Sequence, residues 1–211
     1  MAPASGRLVD ASGDPPCPQA LEQAASALRS GLVVGIPTDT VYGLAVDPSR
    51  SGAVDRLFAL KARPGSVALP VLVADVDQAR GLAVCTPAAE ALMAAWWPGG
   101  LTLVLASLPG LGLSLGGDGA TIGLRCPAHP VPVALARMVG PIATTSANLH
   151  GSAPVETAEA LSAQLGEGVA VILDAGPCTG PSSTVVDCTG PELRCLREGS
   201  IAWVRVPGVH L

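Results

Sequence analysis

Residues 35–47 read GIPTDTVYGLAVD. With Leu32, Val33 and Val34 before it, the stretch starts as a buried strand. It then gives up apolar residues for Pro37, Thr38, Asp39 and Thr40, just ahead of the chain's one tyrosine, Tyr42. A strand that ends in hydroxyls and a carboxylate is either a polar turn or the mouth of a site, because open α/β sheets hold ligands beyond their strand ends.

Working outward, apolar periodicity sorts the rest of the chain. Leu21, Ala24, Ala25 and Leu28 recur at helical spacing from Pro18 and predict a helix that stops at Gly31. Residues 52–62 repeat that pattern, and residues 69–73 form a short apolar run of strand length. Thr86-Pro87 pairs a capping side chain with a proline suited to the first helical position, which predicts a helix towards Trp97. Further strands are expected at 101–105, 120–125, 141–145, 169–173, 183–188 and 201–204, and further helices at 131–139 and 157–165. Strands and helices alternate early and strands cluster late, which predicts an α/β fold with a mixed sheet. Residues 1–16 lack periodicity and read as a flexible tail, leaving 17–211 as one domain.

Composition narrows the function classes. The chain has 211 residues, 49% apolar and 14% charged, enough for one substantial core; with aromatics at 2%, Val, Leu, Ala and Ile must fill it. A net charge of −5 argues against charge-driven nucleic-acid binding over the whole surface and leaves a local basic cleft possible. No apolar run reaches membrane-spanning length, and the N-terminal residues lack a signal-like hydrophobic stretch, so a cytoplasmic protein with no membrane association is expected. Cys17, Cys85, Cys126, Cys178, Cys188 and Cys195 form no C-x-x-C pair and read as reduced thiols.

Common catalytic signatures are missing. There is no phosphate-loop motif or G-x-S-x-G, and the glycines of 110–117 do not fit G-x-G-x-x-G. His129, His150 and His210 are scattered, so no protein nucleophile is expected. What remains is a set of polar residues at strand ends and in loops. They are Thr38, Asp39 and Thr40; Lys61 and Arg63; Thr121 and Arg125; Thr144, Thr145, Ser146 and Asn148; Ser182, Ser183 and Thr184; and Arg197. Singly, each is more simply a turn, a cap or a complement to a helix end. Together, four cations among only 12 and several hydroxyl clusters suit an anionic ligand such as a nucleoside triphosphate.

The segments GIPTDTVYGLAVD, LKARP, WWPGGLTLVL, IGLRCPAHP, TTSANLHG, SSTVVD and LREGSI occur in an order that resembles the YrdC-type threonylcarbamoyl-AMP synthase family, in its short, single-domain form, over roughly residues 18–204. The resemblance implies a twisted mixed sheet with flanking helices around a concave cleft. It also implies an activity: L-threonine, bicarbonate and ATP, with Mg²⁺ on the phosphates, give threonylcarbamoyl-AMP and pyrophosphate. The product would go to a separate threonylcarbamoyl transferase complex that modifies adenosine 37 of tRNA, so contact with tRNA is expected to be indirect or weak. Such chemistry needs positioning and charge neutralisation rather than a covalent enzyme intermediate.

Carried over by motif, Lys61, Arg63, Thr121, Ser146, Asn148 and Arg197 should contact ATP. Thr38, Arg125, Thr144 and Ser183 should surround threonine, with Arg125 gripping its carboxylate. Tyr42 is either a cavity residue or a structural tyrosine, and Asp39 either a metal assistant or a turn former. Metal ligands are unassigned. The chain departs from the family at Val67 and Ala68, where [KN]-P is common, and at Leu72, where a His is frequent. It also departs at Gly100 and at Ala153-Pro154, which stand where P and P-S are usual. Two alternatives share the domain. One is the carbamoyl-transfer module of hydrogenase maturation proteins, whose added zinc-finger cysteines are absent here. The other is a non-catalytic RNA-binding module, which would be expected to offer stacking aromatics.

Overall fold

The computed structural model describes residues 6–61, 68–148 and 153–203. In chain order its elements are β1 (Arg7–Asp10), α1 (Pro18–Arg29), β2 (Val33–Ile36), β3 (Gly43–Val46), α2 (Ala53–Leu60), β4 (Val71–Leu72), α3 (Val76–Arg80) and α4 (Pro87–Trp96). They continue with β5 (Leu101–Ala106), β6 (Thr121–Arg125), α5 (Pro130–Val139), β7 (Ile142–Ser146), α6 (Ala158–Leu165), β8 (Val169–Asp174), β9 (Thr184–Asp187) and β10 (Arg194–Arg197). The strands form one mixed sheet in the order β1-β8-β2-β3-β7-β4-β6-β5-β9-β10.

Three of the longer helices start at side-chain caps. Thr86 Oγ1 accepts from Ala89 N at 3.2 Å to open α4, and Thr157 Oγ1 accepts from Ala160 N at 3.2 Å to open α6. Before α5 His129 is the cap, its Nδ1 accepting from Val131 N at 3.2 Å. At the end of α1, Gly31 turns the chain at φ +71°, a backbone conformation that glycine adopts without steric cost.

Period-two alternation divides each strand between two faces. Val33, Leu44, Val46 and Ile172 bury on one face against Val54, Leu57 and Phe58 of α2 and Leu161 of α6. Val34, Ile36, Ala45 and Leu173 bury on the other, against Leu21, Leu28 and Leu135 of α1 and α5. Strands β2 and β3 are therefore covered on both sides and read as continuous apolar runs. Further along the sheet, Leu101, Leu103, Leu105, Ile122, Leu124 and Val186 pack with Leu92 and Met93 of α4. The alternating residues of those strands, Thr102 and Arg125 among them, face the opposite way, as does Ser183 just before β9. There α1 and α5 no longer cover the sheet, and a concave polar surface results.

Two expectations from sequence need correction. Residues 7–10 are not a flexible tail: β1 pairs in parallel with β8, from Arg7 opposite Val171 to Asp10 opposite Asp174. Backbone hydrogen bonds hold this edge strand while its side chains stay mostly exposed, so no apolar alternation announces it. Residues 201–203 are not a strand either. The last pairing is β10 with β9, in antiparallel register with an irregularity between Cys195 and Arg197. Ile201 instead caps the core at 7% exposure and donates its N–H to Thr184 Oγ1 at 3.0 Å. Val204, and the departure at Val67, lie outside the described residues. Strands β3 and β10 and helix α3 had no counterpart in the sequence reading.

All six cysteines are free, as expected. Among the described residues no helix is long and apolar enough to cross a membrane.

Candidate functional site

The opening stretch forms a polar turn that is also the lip of a cavity. Thr38 Oγ1 accepts from Thr40 N at 3.1 Å and Val41 N at 3.2 Å, and donates to Val41 O at 2.6 Å. With that proton committed, Thr40 is the donor in the 3.0 Å contact between the two hydroxyls. A hydroxyl serving its own backbone in this way is an ordinary threonine turn. The cavity behind it, of about 220 Å³, is lined by Thr38, Thr40, Leu72, Thr102, Arg125, Thr144, Ser146, Ser183 and Arg197, among others.

Arg125 ends β6 on the uncovered face and is 7% exposed. Its Nε donates to Gly99 O at 3.0 Å, its Nη1 to Thr40 Oγ1 at 3.1 Å and its Nη2 to Asp39 Oδ1 at 2.6 Å. The turn WPGG and the turn PTDT thus clamp one guanidinium from two directions. Arg197, on edge strand β10, approaches from the far side. Partial desolvation, and then the like charge of Arg125, hold its pKa below the usual arginine value; it stays cationic all the same. Two guanidiniums therefore face one small cavity.

Ser183 shares the cavity wall with both, its Oγ 2.9 Å from Thr102 Oγ1. Gly199 is required here, because a Cβ at that position would overlap the Ser182 carbonyl oxygen and the Ser183 backbone. This gives a physical reason for the glycine in LREGSI.

Lys61 caps the end of α2 and is 5% exposed. Its Nζ reaches the Ser146 carbonyl oxygen at close range, Asn148 Oδ1 at 3.0 Å and Thr145 Oγ1 at 3.4 Å. Ser146 Oγ in turn donates to Asn148 Oδ1 at 2.6 Å. The ammonium thereby ties α2 to the end of β7, at the rim where Ser146 enters the cavity lining.

Of the residues expected to contact ligand, Thr38, Arg125, Thr144, Ser146, Ser183 and Arg197 are gathered around the one cavity, and Lys61 and Asn148 adjoin it through Ser146. Thr121 is not among them. It starts β6, at the opposite end of that strand from Arg125, and lines a separate hollow with the glycine-rich segment 107–119. Arg63 lies outside the described residues. Tyr42 is fully buried and serves both expected roles: it backs the wall of the Arg125 cavity, while its ring packs in the core beside Leu44 and Val155 and its hydroxyl donates to Gly176 O at 2.8 Å. Burial raises its pKa far above the physiological range.

Asp39 pairs with Arg125. Among the described residues no three of His, Cys, Asp and Glu converge as metal ligands. Sequence reading missed Thr102. Its signal was present in GLTLVL: one polar residue alternating with Leu101 and Leu103, on the face away from the core.

Fold and site together define an α/β protein with a compact, cationic, hydroxyl-lined pocket carried on a mixed sheet. The chain belongs to the Sua5/YciO/YrdC family, whose model, described as "Telomere recombination", matches residues 26–199.

A Mycobacterium tuberculosis (strain H37Rv) protein with a provisional threonylcarbamoyl-AMP synthase name is 43% identical over 88% of this chain and 87% of its own length. Threonylcarbamoyl-AMP synthase of Bacillus subtilis (strain 168) is 38% identical over 90% of this chain and 56% of its own. The crystal structure of P. abyssi Sua5 complexed with L-threonine superposes with a TM-score of 0.83 at 32% identity, covering 91% of this chain and 57% of that one. The chain thus spans little more than half the length of these last two relatives.

Proposed function

We propose that this chain is an L-threonylcarbamoyladenylate synthase, a nucleotidyltransferase that turns L-threonine, bicarbonate or CO2, and ATP into threonylcarbamoyl-AMP and pyrophosphate. The observation that carries this reading is the cavity itself. At about 220 Å³ it falls below the ~300–1,000 Å³ typical of sites for drug-sized ligands, which suits an amino acid. Its two guanidiniums suit a carboxylate at one end and phosphate at the other. The names of the relatives, and the L-threonine bound by P. abyssi Sua5, support the same reading.

In this proposal Arg125 takes the threonine carboxylate, while Thr144, Ser183 and Thr102 offer hydroxyls to the rest of the molecule. Lys61, Arg197, Ser146 and Asn148, with Arg63 by its motif, meet the nucleotide at the rim. Threonine's neutral amine adds to CO2 to form a carbamate. A carbamate oxygen then attacks the α-phosphorus of ATP, and pyrophosphate leaves with the electron pair of the broken P–O bond. No side chain need become covalently attached, which agrees with a cavity lining that, among the described residues, holds neither His nor Cys.

Mg²⁺ would neutralise phosphate charge and is proposed to travel with ATP and its own water ligands, without a cage of protein carboxylates. The product's onward path, through a transferase complex to adenosine 37 of tRNA, is part of the same proposal.

Pyrophosphate release that requires threonine, bicarbonate and ATP together is the test. Lys61→Met, which keeps the apolar stem and removes the ammonium, should lower that release by about 100-fold, the loss of one or two charge-assisted hydrogen bonds. Binding of RNA with no turnover under any of these conditions would overturn the proposal.

A further inference from the structure

We propose that Asp39 is a positioning residue, which holds the Arg125 guanidinium in the orientation an incoming carboxylate needs. The inference rests on the threonine-site reading above and deepens it. Asp39 is not part of the cavity lining, so it acts through Arg125 rather than on a ligand. Three acceptors engage three different nitrogens of that guanidinium: Asp39 Oδ1 at 2.6 Å, Thr40 Oγ1 at 3.1 Å and Gly99 O at 3.0 Å. Arginine carries five N–H donors, so one N–H on each Nη is left for a ligand. Fixing the plane and position of the fork beforehand removes an ordering cost that binding would otherwise carry.

Charge gives the second half of the argument. Arg125 and Arg197 line the same small cavity, and like charges at such range repel. A carboxylate in contact with Arg125 offsets that repulsion and keeps the guanidinium on the Thr40 side. It leaves the cavity cationic, because one acid sits against two arginines.

The position of Asp39 is itself fixed from outside the ion pair. The Thr38 hydroxyl closes the turn through Thr40 N and Val41 N, and Gly180 approaches so near that a Cβ there would lie 2.5 Å from Asp39 O. The acid is built into the turn before the arginine meets it. An ion pair serving stability alone would have no need of a carboxylate aimed at the cavity's own arginine.

The experiment uses the full chain with Asp39→Asn, Arg125→Lys and the double variant, and Thr40→Val as a second way to loosen the clamp. Without ligand, the NMR order of the Arg125 side-chain Nε–H should fall in Asp39→Asn. In calorimetry, L-threonine affinity should drop by about tenfold, as expected for one charge-assisted contact, while the KM for ATP stays within about twofold. In the Arg125→Lys background Asp39→Asn should add nothing further, since residues acting as a unit are non-additive.

Unchanged arginine order together with unchanged threonine affinity would overturn the proposal, and so would an equal loss in the lysine background. If Asp39→Asn does not fold, Thr40→Val carries the same comparisons. If the unaltered protein fails to bind threonine, the functional reading is what fails, and the ligand-free NMR comparison still decides whether Asp39 orders Arg125.

Discussion

Arg197 holds Ser183 by three contacts. Its Nε and Nη2 donate to the Ser183 carbonyl oxygen at 3.1 and 2.9 Å, and Nη2 also reaches Ser183 Oγ at 3.1 Å. An exposed edge strand is thus tied to the start of β9 by a side chain whose remaining donors are free to face the cavity. The same arginine serves the fold and presents charge to a ligand.

Arg197→Lys and Arg197→Ala separate those two duties. Lysine keeps the charge and loses the planar fork, so it cannot bridge the Ser183 carbonyl and hydroxyl at once. We expect pyrophosphate release to fall by about tenfold for lysine and about 100-fold for alanine, in steps of one charge-assisted hydrogen bond. Steady-state kinetics with ATP varied is the check, and equal activity in the two variants would remove the charge from the argument.

Tyr42→Phe should behave as a stability variant. It deletes the hydroxyl that donates to Gly176 O at 2.8 Å and leaves that carbonyl to find another partner. The expected cost is about 1 kcal/mol in urea unfolding, with activity within about twofold of the parent. A large loss of activity at unchanged stability would show that Tyr42 acts through the cavity wall it backs.

Gly180→Ala should do the reverse of a local change. The added methyl would meet Asp39 O at 2.5 Å and the Thr40 Cα at 3.0 Å, both backbone atoms that cannot swing aside. Overpacking of this kind costs about 1–3 kcal/mol. Because the displaced turn carries Asp39 and Thr40, threonine affinity should fall along with the melting temperature. Calorimetry and thermal unfolding on one preparation test the pairing.

Alkaline conditions should weaken the fold through its buried thiols. Burial pushes Cys126 and Cys188 up to about 11, from 9.0 for a free thiol. Between those values the unfolded chain has released protons that the native state still holds, so stability falls as pH rises. It is fully present below about pH 9 and lost through the window to about 11. Melting temperature measured from pH 8 to 10.5 should decline, and Cys126→Ala with Cys188→Ala should flatten the decline.

On the acid side, the hydrogen bond from Thr189 and the contact with Arg194 hold Asp187 below its usual value of 3.8. Its contribution is fully present above that value and is lost as pH falls below it and through the lowered native value. Asp187→Asn should reduce the slope there.

Much of this was written locally. Helix α1 began at the predicted Pro18, and the cap Thr86 was visible ahead of a proline suited to the first helical position. Polar residues ending otherwise apolar strands, as in PTDT and TTSAN, pointed to Thr38, Thr144 and Ser146. What escaped were elements without such a signature. Strand β1 is held by its backbone, and β10 is an exposed edge where side-chain pattern carries little information. Thr121 is the instructive case: on the same strand as Arg125 and close in number, it is nevertheless carried along an extended chain to the other end of that strand.

The order of residues along the chain settled most of the helices and the buried strands, the Thr86 cap, and that a set of hydroxyls and cations ends the strands. Periodicity and capping are properties of neighbours in the chain, so they can be read there. Only the tertiary structure decided that Asp39 pairs with Arg125, 86 positions away, that Tyr42 turns inward to Gly176, and that Thr102 joins the cavity. Those outcomes depend on strand order and register, which set the residues that meet across a sheet and the face left uncovered by helices. Neither is encoded in any one segment.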